Sequence, residues 1–215
     1  MDSETEVKFV FTDPSAWARL CRLTTLGPLR RTRQARELQK NIYWDTPDRQ
    51  LFRKKAVLKL RLVRGGRSEL TFKKESSRQG SISNRIEVTV PVRMIPLGAV
   101  MPAAWLELEP VQRARALVPS TKWVPVLTME TDRIRIFFSG GRPVLEMDLD
   151  SVRVARGGRV ALKHRELELE NIALPPQQFS EIVAAFKKEW AKKLKTSRFS
   201  KQQIAFQLLN RPGYK

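Results

Sequence analysis

One histidine and one cysteine in 215 residues leave little room for several common chemistries. His164 alone cannot build a histidine-rich zinc site, and Cys21 alone supplies no thiolate cluster and no intrachain disulfide. A Ser-His-acid triad would have to use His164, which is wedged between Lys163 and Arg165. No Gly-x-x-x-x-Gly-Lys-Ser/Thr loop is present, so phosphate cradling of the P-loop kind is excluded. Any metal must then be a hard, oxygen-ligated cation such as Mg²⁺, Mn²⁺ or Ca²⁺. No apolar run approaches the roughly 18 residues that span a bilayer. The opening Met-Asp-Ser-Glu lacks a basic segment followed by an apolar one, and with the lone cysteine this sets the expectation of a cytoplasmic protein without membrane contact.

Acidic residues are also scarce. Asp and Glu number 22 against 41 Lys and Arg, a formal charge of +19, which calls for a polyanionic partner. Hydrophobic content of 41% is ordinary, and residues 1–215 are expected to form a single domain.

Period-two alternation predicts strands near 4–12, 37–45, 56–64, 67–74, 83–92, 124–138, 143–155 and 159–171. The pairs Gly65-Gly66, Gly140-Gly141 and Gly157-Gly158 fall between predicted strands, where tight hairpins need positive φ. Asp13-Pro14 reads as a helix start with Gly27 as its stop. A helix near 102–117 is interrupted by Pro110, and Pro175-Pro176 opens a helix with Phe179, Ile182, Val183, Phe186 and Trp190 on one stripe. Ser200 is placed to cap a last helix.

Most of the predicted strands carry a run of charges on one face, because i, i+2 and i+4 point the same way. Glu4, Glu6 and Lys8 oppose Val7 and Phe9; Lys59 and Arg61 oppose Leu58, Leu60 and Leu62; Lys73 opposes Phe72; Arg85 and Glu87 oppose Ile86 and Val88. Glu146, Asp148 and Asp150 oppose Met147 and Leu149, and Glu166, Glu168 and Glu170 oppose Leu167 and Leu169. A sandwich or open sheet with a solvated charged face would satisfy this pattern. Three carboxylates in a row on one face nevertheless repel unless cations lie opposite, and the basic strands supply that complement. The favoured fold is therefore mainly β with helices (α+β), a closed antiparallel barrel with charges inside and helices over its apolar exterior. In such a lumen, paired carboxylates such as Glu4 with Glu6 or Glu166 with Glu168 share a divalent ion, and facing Lys and Arg grip phosphate oxygens.

The ordered motifs resemble the CYTH, or triphosphate tunnel metalloenzyme, superfamily. Glu4-Thr5-Glu6-Val7-Lys8 resembles its E-x-E-x-K signature, and Tyr43-Trp44-Asp45-Thr46-Pro47-Asp48 its Y-F-D-T-P-D segment. Leu58-Lys59-Leu60-Arg61, Leu70-Thr71-Phe72-Lys73, Arg85-Ile86-Glu87, the pair Glu146 and Asp150, Glu166-Leu167-Glu168-Leu169-Glu170 and Ser200-Lys201 follow in the family's order. Thr131-Asp132-Arg133 departs from the usual Lys-x-Arg, and Glu130 and Asp132 oppose Arg133 and Arg135 in parity. The resemblance implies an eight-stranded tunnel that hydrolyses a triphosphate with Mg²⁺ or Mn²⁺, inorganic triphosphate first among the substrates. Thiamine, nucleoside or RNA triphosphate, or cyclisation of ATP, are its alternatives. It implies metal binding by Glu4, Glu6, Asp150, Glu166 and Glu168 with support from Glu146. Phosphate would be held by Lys8, Lys59, Arg61, Lys73, Arg85, Arg133 and Arg135, with Lys201 closing one mouth. Glu4, Glu6, Lys8, Arg61 and Lys73 carry the catalytic expectation, and Glu87 fits either a metal ligand or a partner for Arg85. A monomer or a homodimer would serve.

Two basic runs lie outside these motifs: Arg30, Arg31, Arg33, Arg36 and Lys40, then Lys187, Lys188, Lys192, Lys193 and Lys195. They read as exposed helical faces, solvated by default, and alternatively as a surface for polyphosphate or nucleic acid without catalysis.

Overall fold

A computed structural model describes residues 2–93, 100–120, 122–156 and 159–209. Ten strands and five α-helices follow in chain order: β1 (Asp2–Phe11), α1 (Ala16–Cys21), β2 (Thr25–Leu26), β3 (Leu29–Asp45), α2 (Gln50–Arg53), β4 (Ala56–Val63), β5 (Ser68–Gln79), β6 (Ile82–Val92), α3 (Glu109–Leu117), β7 (Val124–Ser139), β8 (Leu145–Arg156), β9 (Arg159–Asn171), α4 (Pro176–Trp190), β10 (Leu194–Ser197) and α5 (Lys201–Leu209). The strands pair in the order β1-β6-β5-β4-β3-β7-β8-β9, and β9 returns to β1, so eight antiparallel strands close into a barrel. Closure leaves no open edge on that circuit. β10 adds to the second half of β1, and β2 to the start of β3.

The apolar faces turn outward and are covered. Over β1, β7, β8 and β9 lie α1 and α4, with Phe179, Ile182, Val183, Phe186 and Trp190 buried against Val7, Phe9, Ile136, Phe138, Met147 and Leu167. Each such side chain contributes roughly 1.5–3 kcal/mol on burial. Over β3–β6 lie α3 and a 3-10 turn at Ala103–Glu107, which pack Trp105, Val111 and Ala114 on Trp44, Leu58, Leu60, Leu70 and Phe72. A third apolar layer sits inside the barrel at one end. There Tyr43, Leu127, Met129, Val152 and Val154 meet Ala205 and Phe206 of α5.

The eight predicted strands are all present, several of them longer than predicted. β3 differs most: it begins at Leu29, and the run Arg30–Arg36 therefore lies on a strand, not a helix. Its two faces are both largely exposed there, so no apolar alternation marks it, and backbone pairing with β7 alone extends it. The second run divides between the last turn of α4, the following turn and β10. Gly27 is not a helix stop; α1 ends at Cys21, and Gly27 takes φ +57° in the turn between β2 and β3. Asp13 is not the capping residue itself; that position is Ser15, whose backbone N–H and hydroxyl both donate to the Asp13 carboxylate at 2.8 and 2.7 Å. Pro110 lies in the first turn of α3, where its missing N–H costs nothing, and the break falls at Leu108. Gly157-Gly158 lie outside the described residues.

Candidate active site in the barrel lumen

Parity and register together set the lumen. Glu4, Glu6 and Lys8 of β1 face inward with Arg85 and Glu87 of β6, Lys73 of β5, and Lys59 and Arg61 of β4. Gln39, Asn41 and Tyr43 of β3, Arg133 and Arg135 of β7, Glu146 of β8, and Glu168 and Glu170 of β9 complete the circuit. Together with Ser200, Lys201 and Gln202 at the foot of α5, they line one cavity of about 200 Å³. Asp150 and Glu166 lie just beyond it, fully buried, joined to it through Lys201. The fourteen charged residues expected to hold metal or phosphate, and Glu87 with them, thus lie around the lumen and its floor. Glu130 and Asp132 face outward, Asp132 pairing with Arg36 at 2.5 Å on the outer surface.

The charges are sorted by side. The wall of β8 and β9 is acidic and held by few cations. Arg133 forks onto Asp150 at 2.8 and 2.7 Å, reaches Glu168 at 3.0 Å and also contacts Asp148. Arg135 bridges Glu146 at 2.6 Å and Glu37 at 2.9 Å. Lys201 sets its ammonium against Asp150 at 2.8 Å, Glu168 at 3.0 Å and Glu166. Capping fixes that lysine: Ser200 Oγ accepts from Gln203 N at 3.2 Å while Gln203 Oε1 accepts from Ser200 N at 2.7 Å. A T-shaped contact between Phe52 and Phe206 seats the helix.

The opposite wall is basic. Lys73 pairs with Glu4 at 2.8 Å and Glu87 at 2.6 Å, and Arg85 with Glu6 at 2.5 Å, so Glu87 serves Lys73, not Arg85. Lys8 sits between Glu6 at 3.0 Å and Glu168. Lys59 and Arg61 differ from these. Among the described residues neither has a carboxylate partner, and Arg61 Nε is buried without an acceptor. Burial, then the charges of Arg61 and Lys73, press the Lys59 ammonium well below the usual lysine range.

Other shifts follow the same balance. Burial, joined by the Lys201 and Arg85 cations, outweighs Glu6 and brings Lys8 down to about 8. Burial would raise Glu166, but the Lys201 charge, the hydrogen bond with His164 and the Lys8 charge together outweigh it and lower the carboxyl to about 2. The charge and hydrogen bond of Lys73, with Lys59 and Thr89, do the same for Glu87, also to about 2. Burial, then the neighbouring Glu4 charge, lifts Glu170 to about 7. Asp148 is raised well above the ordinary range by burial, with Glu146 and Asp150 adding to it, despite Arg133.

The donor set suits a hard divalent ion. Ligand oxygens of Asp150, Glu166 and Glu168 lie within 4.8 Å of one another and are buried, and an ammonium already occupies the space they enclose. Glu37, Gln39, Asn41, Tyr43 and Asp148 were not singled out as site residues in the sequence. Inward parity on β3 and β8 was the available signal; on β3 it falls, apart from Glu37, on the uncharged Gln39, Asn41 and Tyr43, which a search for charged faces passes over. Asp45 of the Tyr-Trp-Asp-Thr-Pro-Asp segment does not reach the lumen. Its buried carboxylate accepts from the backbone N–H of Thr46, Leu51 and Phe52 at 2.7, 2.9 and 3.0 Å, which fixes the turn into α2.

Solved structures share this architecture. A putative adenylyl cyclase from Hippeastrum, described as having a dominant triphosphatase activity, is 18% identical with a TM-score of 0.65, covering 99% of each chain. A putative adenylate cyclase from Bacillus halodurans is 18% identical with a TM-score of 0.63, over 96% of this chain and 100% of that one. A Pyrococcus horikoshii protein is 18% identical with a TM-score of 0.58, over 95% and 98%. No curated protein matches the sequence. The profile of the CYTH domain matches residues 2–203, nearly the whole chain, and the protein belongs to the CYTH domain family.

Proposed function

We propose that the lumen hydrolyses a triphosphate with a divalent metal ion, inorganic triphosphate being the favoured substrate. The observation that carries this reading is the pair Lys59, buried, and Arg61, half-buried with its Nε enclosed and without an acceptor. Among the described residues neither has a carboxylate partner, and both line the cavity that the acidic wall faces. An unpaired buried cation is costly, and a polyanion entering the lumen relieves that cost. Arginine would grip phosphate oxygens in a fork, and lysine would act as a point charge. Lys8, Lys73, Arg85, Arg133 and Arg135 would complete the hold on the phosphate chain, and Lys201 would bear on it from the floor of the lumen.

Glu4, Glu6, Asp150, Glu166 and Glu168 would hold Mg²⁺ or Mn²⁺, with Glu146 in support. When bound, such an ion supplies charge neutralisation on the phosphoryl group being transferred. Water adds to the terminal phosphorus, the bond to the leaving pyrophosphate oxygen breaks, and a lumen carboxylate takes the proton. Phosphoryl transfer needs mainly positioning and compensating charge, which Lys8, Arg61 and Lys73 are placed to give without histidine or cysteine. The triphosphatase activity described for the Hippeastrum protein supports the same reading.

The test is phosphate release from inorganic, thiamine and nucleoside triphosphates with Mg²⁺ or Mn²⁺, with cyclic AMP assayed beside ATP turnover. Fastest turnover of inorganic triphosphate, abolished in Glu6→Gln while the circular dichroism spectrum is kept, is the expected result. No phosphate release from any of them, or cyclic AMP as the main product from ATP, overturns the proposal.

A further inference from the structure

The lumen wall does not stop at the barrel rim. β4 leaves β3 at the Gln39–Val63 pair, while β3 and β7 continue as a ribbon through Arg30 opposite Ser139. Inward parity runs on along β7 from Arg133 to Arg135 to Phe137, about 7 Å per step at strand rise. At the last step Arg33 lies over the Phe137 ring at 5.7 Å, with Arg135 over the same ring at 5.1 Å. Arg30, Arg31 and Arg33 are exposed on this ribbon, and Arg142 is exposed in the adjoining turn after Ser139. Among the described residues none of the four has a carboxylate partner, whereas Arg36 and Arg135 are paired. The other end of the lumen is filled by Tyr43, Met129, Val152 and Phe206. The ribbon is thus an exit path for whatever is attached to a triphosphate in the lumen.

We infer that the β3–β7 ribbon is a docking surface for single-stranded nucleic acid, RNA bearing a 5′-triphosphate being the ligand that spans ribbon and lumen. The inference rests on the triphosphate reading only for the end of the strand; the ribbon itself is read from its own residues. Unpaired arginines spaced along a strand match successive phosphates, and they lose affinity with salt as counterions return. An arginine laid over an aromatic ring offers the stacking surface that unpaired bases use, which a chain of phosphates alone has no use for.

Fluorescence anisotropy with a labelled 12-nucleotide RNA carrying a 5′-triphosphate, in chelator and at several salt concentrations, tests this. The same RNA with a 5′-hydroxyl and an unlabelled polyphosphate competitor of equal charge serve as comparisons. Arg30→Ala/Arg33→Ala/Arg142→Ala is expected to lower RNA affinity at least tenfold and to flatten its salt dependence, with inorganic triphosphate turnover unchanged. Phe137→Leu is expected to weaken RNA about tenfold and to leave polyphosphate competition unaltered. RNA binding equal in the triple variant and the parent protein overturns the inference, as does equal weakening of RNA and polyphosphate by Phe137→Leu. If the parent protein binds both RNAs but releases phosphate from no triphosphate, the hydrolytic reading fails and the ribbon stands. Turnover without RNA binding has the opposite meaning.

Discussion

The Lys201 ammonium lies 2.8 Å from the Asp150 carboxylate and 3.0 Å from that of Glu168, and it enters the lumen floor from α5. It stands where a divalent ion would compensate the same oxygens. In Lys201→Met, buried carboxylates lose their counter-charge, and the metal-free protein should lose about 3 kcal/mol of stability. Mn²⁺ should then raise the melting temperature of the variant more than that of the parent. Thermal scans with and without Mn²⁺ check this; equal shifts in both proteins would argue against a cation site at the cluster.

Lys59 poses the reverse case, a buried cation without a carboxylate partner among the described residues. Lys59→Met should raise stability by about 1 kcal/mol, because it removes a desolvated charge while keeping the volume. It should lower kcat/KM for triphosphate about 100-fold, since the hold on developing phosphate charge is lost. Urea unfolding and steady-state kinetics on one preparation read both effects. A destabilised variant would mean that Lys59 is a structural partner after all.

Arg133 compensates Asp148, Asp150 and Glu168 together. Arg133→Gln should therefore destabilise the fold by about 3–5 kcal/mol. Arg133→Lys should recover only part of this, since an ammonium cannot fork onto Asp150. Chemical denaturation midpoints of the two variants give the comparison, and a near-neutral Gln variant would show that the carboxylates find other partners.

Stability of the metal-free protein should pass through a maximum with pH. Glu87 and Glu166, lowered from the ordinary value to about 2, contribute stability above pH 4.5 that is lost as pH falls toward 2. Glu170, raised to about 7, contributes stability that is complete below pH 4.5 and lost as pH rises through 7. Urea midpoints from pH 3 to pH 8 should rise and then decline, and Glu170→Gln should reduce the decline, with Asp148, also raised, accounting for what is left. A midpoint that climbs steadily to pH 8 would contradict a carboxyl buried beside Glu4.

The site was legible in sequence because a strand puts every second residue on one face. Glu4, Glu6 and Lys8, or Glu166, Glu168 and Glu170, declare a shared side wherever the strand ends up. The first half of β3 was not legible, since Arg30–Arg36 bury neither face and only pairing with β7 makes them a strand. For the same reason the ribbon's arginines read as a solvated helix. Gly27 misled because a positive-φ glycine serves a hairpin and a helix end equally well.

Alternation fixed by the backbone thus determined which residues belong together, and the ordered charged motifs determined the family. Whether the charged faces turned inward or outward depended on closure, β9 pairing back onto β1. So did the partner each charge received, Lys73 taking Glu4 and Glu87 while Lys59 and Arg61 took no carboxylate among the described residues. Partners across a lumen are set by shear between strands distant in the chain, and no local pattern encodes that distance.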